Sequence, residues 1–452
     1  MEAGRTSGVS TTGGPAQDDR AVVLRGVEML RRVFPLLTSL KQSGTQRDKA
    51  GNRKLLFNHY AALVLVGLFN PVLNSTRALT AASGLRKVKR LTGGSKVSTG
   101  SFSEAACVFE PELLEGVMKS LLTDVQRQKT RRFASGSLEA IPDDIVHRLV
   151  AVDGSVLTAL PQVVGRLGSV QKTGSVHKGQ WRLHAQVRVY DRTCQQFELT
   201  DEPSIGESAE RRVVARSLER ALSETSPNES QLFLMDRGYR SADLFNRLKD
   251  AGHDYICRLN RHDGKPVGSS EPVGSEAGQP EIRLPPLSDE ARAAGIVADE
   301  LITLGGGSGA SPIGSRHAIR RITVVPVEGQ PSTARQGRVR KDRSDRDELT
   351  LATTLLDLPA EQIVLLYRCR WQVELFFRFL KHVLKCQTLL TASTPGVQIQ
   401  IYCTLIASLL LALITGHTTS RRTFEMISLF FSGWAEEDEL LDHLRQIKNK
   451  PP

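Results

Sequence analysis

Clustered zinc ligands are missing from this sequence. Its six cysteines stand at 107, 194, 257, 369, 386 and 403, no two as Cys-x2-Cys and none with histidines at ligand spacing, which excludes zinc modules. They read as buried or incidental thiols in a reducing cytoplasm. The opening MEAGRTSGVSTTGGPAQDD has no apolar core, which excludes a secretory signal and makes residues 1–20 a disordered tail. Long hydrophobic runs are scarce too. The best candidate, Val397 to Ile414, is short for a membrane span and is interrupted by glutamines at its start, so it reads as a buried core helix. No membrane role follows. Aromatic residues are absent from the whole of 262–348. Positive charge is what the chain has in excess: 60 Lys and Arg against 49 Asp and Glu, a net charge of +11. That excess favours a polyanionic partner, because each basic side chain that neutralises a phosphate releases condensed counterions. Simple solubility is the bland alternative.

At 452 residues the chain is long enough for several domains. Residues 21–135 read as a helical domain: 59–83 carry apolar residues at helical spacing, broken near Pro71. A basic patch follows at Arg86, Lys87, Lys89, Arg90 and Lys96, then Ser101 to Glu104 as a capping box opening another helix. Basic loops between short helices suit DNA binding, which makes 21–135 the expected DNA-binding domain, although a solvated helical domain can carry them too. From residue 140 the pattern turns to strands. Ile145 to Val152 reads as a strand delivering Asp153 into a turn, and Trp181 to Tyr190 with Gln195 to Leu199 as a hairpin. Residues 207–222 read as an amphipathic helix, and Gln231 to Met235 as a short buried strand ending at Asp236. A helix capped by Ser241 and a strand over Tyr255 to Leu259 complete residues 140–261 as the first part of an α/β core, a mixed sheet with flanking helices. The Gly-, Pro- and Ser-rich residues 262–348 interrupt it as a β-rich insertion with strand-like pieces at Glu300–Leu304 and Ala318–Pro326. Residues 349–418 return to the core, and 419–452 form a C-terminal helical segment.

The chemistry gathers on the helix expected to begin near Pro359. Tyr367, Arg370, Glu374 and Lys381 lie within an arc of about 60° at the ordinary helical step of ~100° per residue. Trp371, Phe376, Phe377, Phe379 and Leu380 make much of the remaining surface apolar, so this polar face is expected to turn toward a site rather than toward water. Asp153 and Asp236 each follow an apolar run, which places their carboxylates at the edge of the core, where a cation must compensate them. Three oxygen ligands without histidine or thiolate suit Mg²⁺ or Mn²⁺ rather than zinc. Two such ions can activate a water or a 3′-hydroxyl and stabilise the leaving oxygen.

The Tyr367-x2-Arg370-x3-Glu374-x6-Lys381 spacing, with Val152-Asp153-Gly154 and Met235-Asp236-Arg237-Gly238-Tyr239, resembles the DDE transposases of the insertion sequence 4 family over about residues 145–415. The resemblance implies a ribonuclease-H-like core with Asp153, Asp236 and Glu374 as catalytic metal ligands for two Mg²⁺ ions. It also implies cleavage and joining of double-stranded DNA at terminal inverted repeats, a homodimer in the DNA complex, and a prokaryotic cytoplasmic or nucleoid-associated setting. Tyr367, Arg370 and Lys381, with Arg237 and Tyr239, become the expected DNA contacts. Because protonated Arg370 and Lys381 cannot ligate a metal, their loss is expected to leave metal affinity unchanged. One departure stands out: family members that use a hairpin intermediate hold a flipped base on aromatic residues, including a tryptophan of the insertion, which 262–348 lacks. Trp181 and Tyr239 are possible substitutes, although core packing is the better reading of Trp181. A DNA-binding protein that keeps the fold without cutting, and a nuclease that cuts without joining, are the rival readings.

Overall fold

The computed structural model describes residues 33–40, 54–127, 138, 141–158, 180–200, 230–266, 284, 286–305, 313–325, 348–384, 389–391, 393–415 and 421–448. The expected tail at 1–20, the helix at 207–222 and the charged stretch at 335–347 lie outside them. The chain divides into two compact units, residues 1–121 with 406–451, and residues 122–405.

The first unit is helical: α1 Val33–Thr38, α2 Phe57–Phe69, α3 Thr76–Ala82, α4 Arg86–Thr92, α5 Thr99–Val108 and the start of α6 Leu113–Arg127. Apolar nearly all round, α2 is buried on nearly every side, as such a helix must be. Phe57 stacks on Phe109 at 4.7 Å, Tyr60 meets Phe102 at 4.6 Å, and Phe69 stacks on Phe431 at 6.0 Å. The last of these contacts is made by the helix Arg421–Ser432, which belongs to this unit together with the helix Glu437–Lys448. The cap of α5 is Ser98, three residues before the expected cap Ser101, and its side chain accepts from the Ser101 amide. Val88 and Leu91 anchor α4 while Arg86, Lys87, Lys89 and Arg90 face solvent.

The second unit is built on one mixed sheet. Its elements in order are α7 Asp143–Arg148, β1 Leu149–Thr158, β2 Gln180–Arg188, β3 Thr193–Thr200, β4 Leu232–Met235, a 3₁₀ turn Arg237–Tyr239, α8 Ala242–Asp250, β5 Asp254–Leu259, β6 Lys265–Pro266, α9 Asp289–Ala293, β7 Ile296–Thr303, β8 Ile319–Val324, β9 Leu349–Thr353, α10 Ala360–Arg368, α11 Trp371–Arg378, a π-helical turn Phe379–Val383 and the start of α12 Thr394–Thr415, whose residues from Ile406 on belong to the first unit. The strand order is β3-β2-β1-β4-β5-β9-β8-β7-β6. β1, β4 and β5 run parallel, and every other neighbouring pair is antiparallel. All four residues of β4 are buried, which explains why a central strand reads as an unbroken apolar run. Val150, Val152, Phe233, Met235, Phe245, Tyr255 and Ala352 share a core on the face covered by α8.

Four expectations change here. Ile145 to Arg148 is helical, not strand: Pro142 precedes α7 and the first-turn Asp143 and Asp144 complement its dipole. Asp153 does not end β1. The strand continues to Thr158, paired with β2, while β4 stops at Met235, so from Asp153 onward β1 has a strand on one side only. The strands at 265–324 are not a separate β subdomain; they lengthen the central sheet through β9. The helix after Pro359 is broken at Cys369–Arg370, where the amides of Cys369, Arg370, Gln372 and Val373 all bond three residues back. α12 is long and apolar enough to cross a membrane, yet most of it is buried within the protein, as expected of a core helix.

Candidate active site

Val152 of β1 pairs with Met235 of β4, so the next residues, Asp153 and Asp236, stand side by side on parallel strands. Neighbouring strands lie only about 4.8 Å apart. Since Val152 and Met235 point into the α8 core, the two carboxylates project from the opposite face, where α11 packs over β1. Each aspartate spends one oxygen locally: Asp153 Oδ1 accepts from the Gly154 amide at 2.8 Å, and Asp236 Oδ1 from the Arg237 amide at 2.8 Å. Gly154 is required by close approach. A Cβ there would come within 2.9 Å of the ring of His184, a buried imidazole on β2 whose two ring nitrogens have no hydrogen-bond partner.

Arg370 completes the arrangement. Its Nη1 donates to Asp153 Oδ2 at 3.3 Å and its Nη2 to Glu374 Oε1 at 2.8 Å, and the side chain is only 15% exposed. The break before α11 aims this residue: it precedes the first helical residue, and Glu374 lies one turn further on. Asp236 lies close enough to act on both Asp153 and Arg370. Burial lowers the affinity of Arg370 for its proton, but Tyr367, Asp153, Asp236 and Glu374 outweigh it and hold the guanidinium charged.

Three carboxylates against one guanidinium leave an excess of negative charge in a partly closed site. Burial, opposed by Arg370 and the Gly154 amide and reinforced by Asp236 and Glu374, pushes the Asp153 carboxyl from 3.8 up to about 6. A folded-state value above the unfolded one means that this group favours the fold below 3.8 and that the benefit is lost as pH rises through about 6. Asp153→Asn should therefore stabilise the metal-free protein above pH 6 by up to about 3 kcal/mol. The gain should shrink through that range and vanish below pH 3.8. Thermal melts in a chelator at several pH values check it; an Asn variant less stable than wild type at pH 8 would contradict the burial argument.

Of the other expected site residues, Tyr367 is 8% exposed, close enough to Arg370 and Asp236 to feel their charges, and burial pushes its hydroxyl well above the usual range. Arg237 is exposed beside Asp236. Lys381 falls in the π-helical turn, where a step of 100° no longer applies. Tyr239 packs in the core with Val152 and Phe245 and is 5% exposed. Trp181 is buried, with its indole 3.4 Å from the Thr394 hydroxyl, which makes it a packing residue. Among the described residues no three His, Cys, Asp or Glu side chains form a ready-made metal cage. The donor set still fits a hard divalent cation: it is all oxygen, over-charged, and already holds one cation, Arg370, between two of its members.

The mixed sheet thus carries paired aspartates on parallel strands, faced by a glutamate from a covering helix. Residues 146–410 match the family described as Transposase DDE domain, and the chain belongs to that family. Putative transposase y4zB of Sinorhizobium fredii (strain NBRC 101917 / NGR234) is 41% identical over 69 residues, which is 15% of this chain and 19% of that protein. The matched stretch thus spans less than a fifth of that relative. Among solved structures, the cryo-EM structure of the piggyBac transposase synaptic complex with hairpin DNA aligns over 97% of this chain and 88% of its own, at 11% identity and a TM-score of 0.35.

Proposed function

We propose that this chain is a metal-dependent DNA transposase of the insertion sequence 4 type. It binds the terminal inverted repeats of its element, cuts DNA strands there and joins the freed 3′ ends to target DNA. The observation that carries this reading is the meeting of Asp153 and Glu374 on Arg370, with Asp236 alongside, where β4 ends beside β1. The order β3-β2-β1-β4-β5, an antiparallel meander running on into parallel strands, supports a ribonuclease-H-like core.

Asp153, Asp236 and Glu374 would hold Mg²⁺, or Mn²⁺ in its place, two ions in all, and such ions supply a nucleophile at neutral pH and charge stabilisation at phosphorus. Arg370, Lys381 and Arg237, with the Tyr367 hydroxyl, orient backbone phosphates beside the cut. The exposed basic row Arg86, Lys87, Lys89 and Arg90 on α4 supports end binding by the helical unit.

The test is a supercoiled plasmid carrying the element ends, incubated with the full chain and Mg²⁺, with every new end mapped. Cuts at the repeats and 3′ ends joined to new DNA are expected. Nicks without joining would leave a nuclease, and binding without cuts would leave a DNA-binding protein.

A further inference from the structure

We propose that Arg370 is the resident cation of the carboxylate site and exchanges with the divalent metal, so that DNA, by drawing Arg370 away, opens the site to metal. This rests on the reading of Asp153, Asp236 and Glu374 as metal ligands. It revises the expectation that Arg370 is a phosphate clamp indifferent to metal affinity.

The geometry is specific about which oxygens are taken. Asp153 Oδ1 is held by the Gly154 amide, and its other oxygen, Oδ2, is the one Arg370 contacts, 3.3 Å away. Glu374 meets the same guanidinium through Oε1 at 2.8 Å. A metal bound by these two residues would share those oxygens with a positive guanidinium, and like charges at that separation repel. The two cations therefore compete. All three side chains are at least three-quarters buried, so solvent screens the competition poorly.

Arg370 also has somewhere to go. It precedes α11 in a stretch already wound more tightly than an α-helix, and its long side chain can turn without moving the backbone that carries Glu374. A DNA phosphate offers the guanidinium two oxygens of one group, in place of the single bonds it now makes to two separate carboxylates. Once Arg370 moves to phosphate, Asp153, Asp236 and Glu374 lose their counter-ion and their attraction for a dication rises. Binding linkage makes the effect mutual: DNA raises metal affinity, and metal raises DNA affinity by the same factor. A site that loads metal only when DNA is present is silent in the free protein.

Mn²⁺ binding to the full chain, followed by electron paramagnetic resonance with and without a duplex carrying the repeat, tests this. Wild type is expected to bind Mn²⁺ on the order of tenfold more tightly with DNA than without, inside the usual range of linkage effects. Arg370→Gln should bind Mn²⁺ without DNA on the order of tenfold more tightly than wild type and gain little from adding DNA. Arg370→Met keeps the packed stem and repeats the measurement if the Gln variant folds poorly. Mn²⁺ affinity equal to or weaker than wild type in the DNA-free Arg370 variants overturns the exchange. If Asp236→Asn still abolishes Mn²⁺ binding in that case, the metal reading stands while the exchange fails. Absence of Mn²⁺ binding in every protein, with and without DNA, overturns both.

Discussion

Alanine at Asp153, Asp236 or Glu374 is expected to cut the rate of DNA cleavage by at least ~10³-fold, equivalent to about 4 kcal/mol of transition-state stabilisation. End binding measured in a chelator, where linkage to metal plays no part, should change no more than a few-fold, because affinity for DNA comes mainly from phosphate contacts made elsewhere. The three variants are not equivalent physically. Asp153→Ala and Glu374→Ala each release one arm of Arg370, whereas Asp236→Ala leaves both of its bonds in place. Loss of cleavage in Asp236→Ala thus separates the carboxylate from the loss of either Arg370 hydrogen bond. Poor folding is a weak alternative for Asp153, since its buried charge opposes the fold at neutral pH. A band-shift assay run beside a cleavage assay on the same DNA decides the matter, and a variant that still cuts at more than a tenth of the wild-type rate would take its residue out of the triad.

The candidate site was legible in parts, and the illegible parts share one cause. Asp153, Asp236 and Glu374 stood out because a carboxylate ending an apolar run, or lying on an otherwise apolar helix, needs a compensating charge, and the fold does bring all three to one place. The buried strands β4 and β5 were legible because both faces are covered. The hairpin between β2 and β3 was too, with Arg192 in the left-handed turn at φ 53°. What local pattern cannot carry is partnership. Nothing around 262–348 says that its strands pair with β9 and not with one another alone. Nothing around Arg370 says that it meets Asp153, more than two hundred residues away. The break at Cys369–Arg370 was hidden as well, because no glycine or proline marks it.

Arg320 is the clearest case of such hidden partnership, and its removal should produce the largest loss of stability in the second unit. Sequence pattern placed it in a strand but gave no sign that it is 0% exposed. Register explains where it points. Arg320 pairs with Thr353, Thr353 with Ile256, Ile256 with Leu234 and Leu234 with Ala151, so its side chain shares the sheet face of Ala151 and Asp153. There it donates Nε and Nη2 to both oxygens of Asp299, at 2.8 and 2.7 Å, and Nη1 to the carbonyls of Leu355, Leu356 and Leu358. Those carbonyls line the loop that enters α10, the element leading to Arg370 and Glu374. Arg320→Ala or Asp299→Ala strands one buried charge, which costs about 3–5 kcal/mol. Arg320→Met with Asp299→Leu removes both charges yet still leaves three carbonyls without their donor, so it should recover only part of the loss and remain about 1–3 kcal/mol below wild type. Urea unfolding read by tryptophan fluorescence measures this cleanly in a Trp434→Phe background. The chain has three tryptophans, and that background leaves Trp181 and Trp371, both in the second unit, as the reporters. A double variant as stable as wild type would show that the carbonyl bonds contribute nothing, and a single variant costing under ~1 kcal/mol would show that Arg320 does not hold the loop at all.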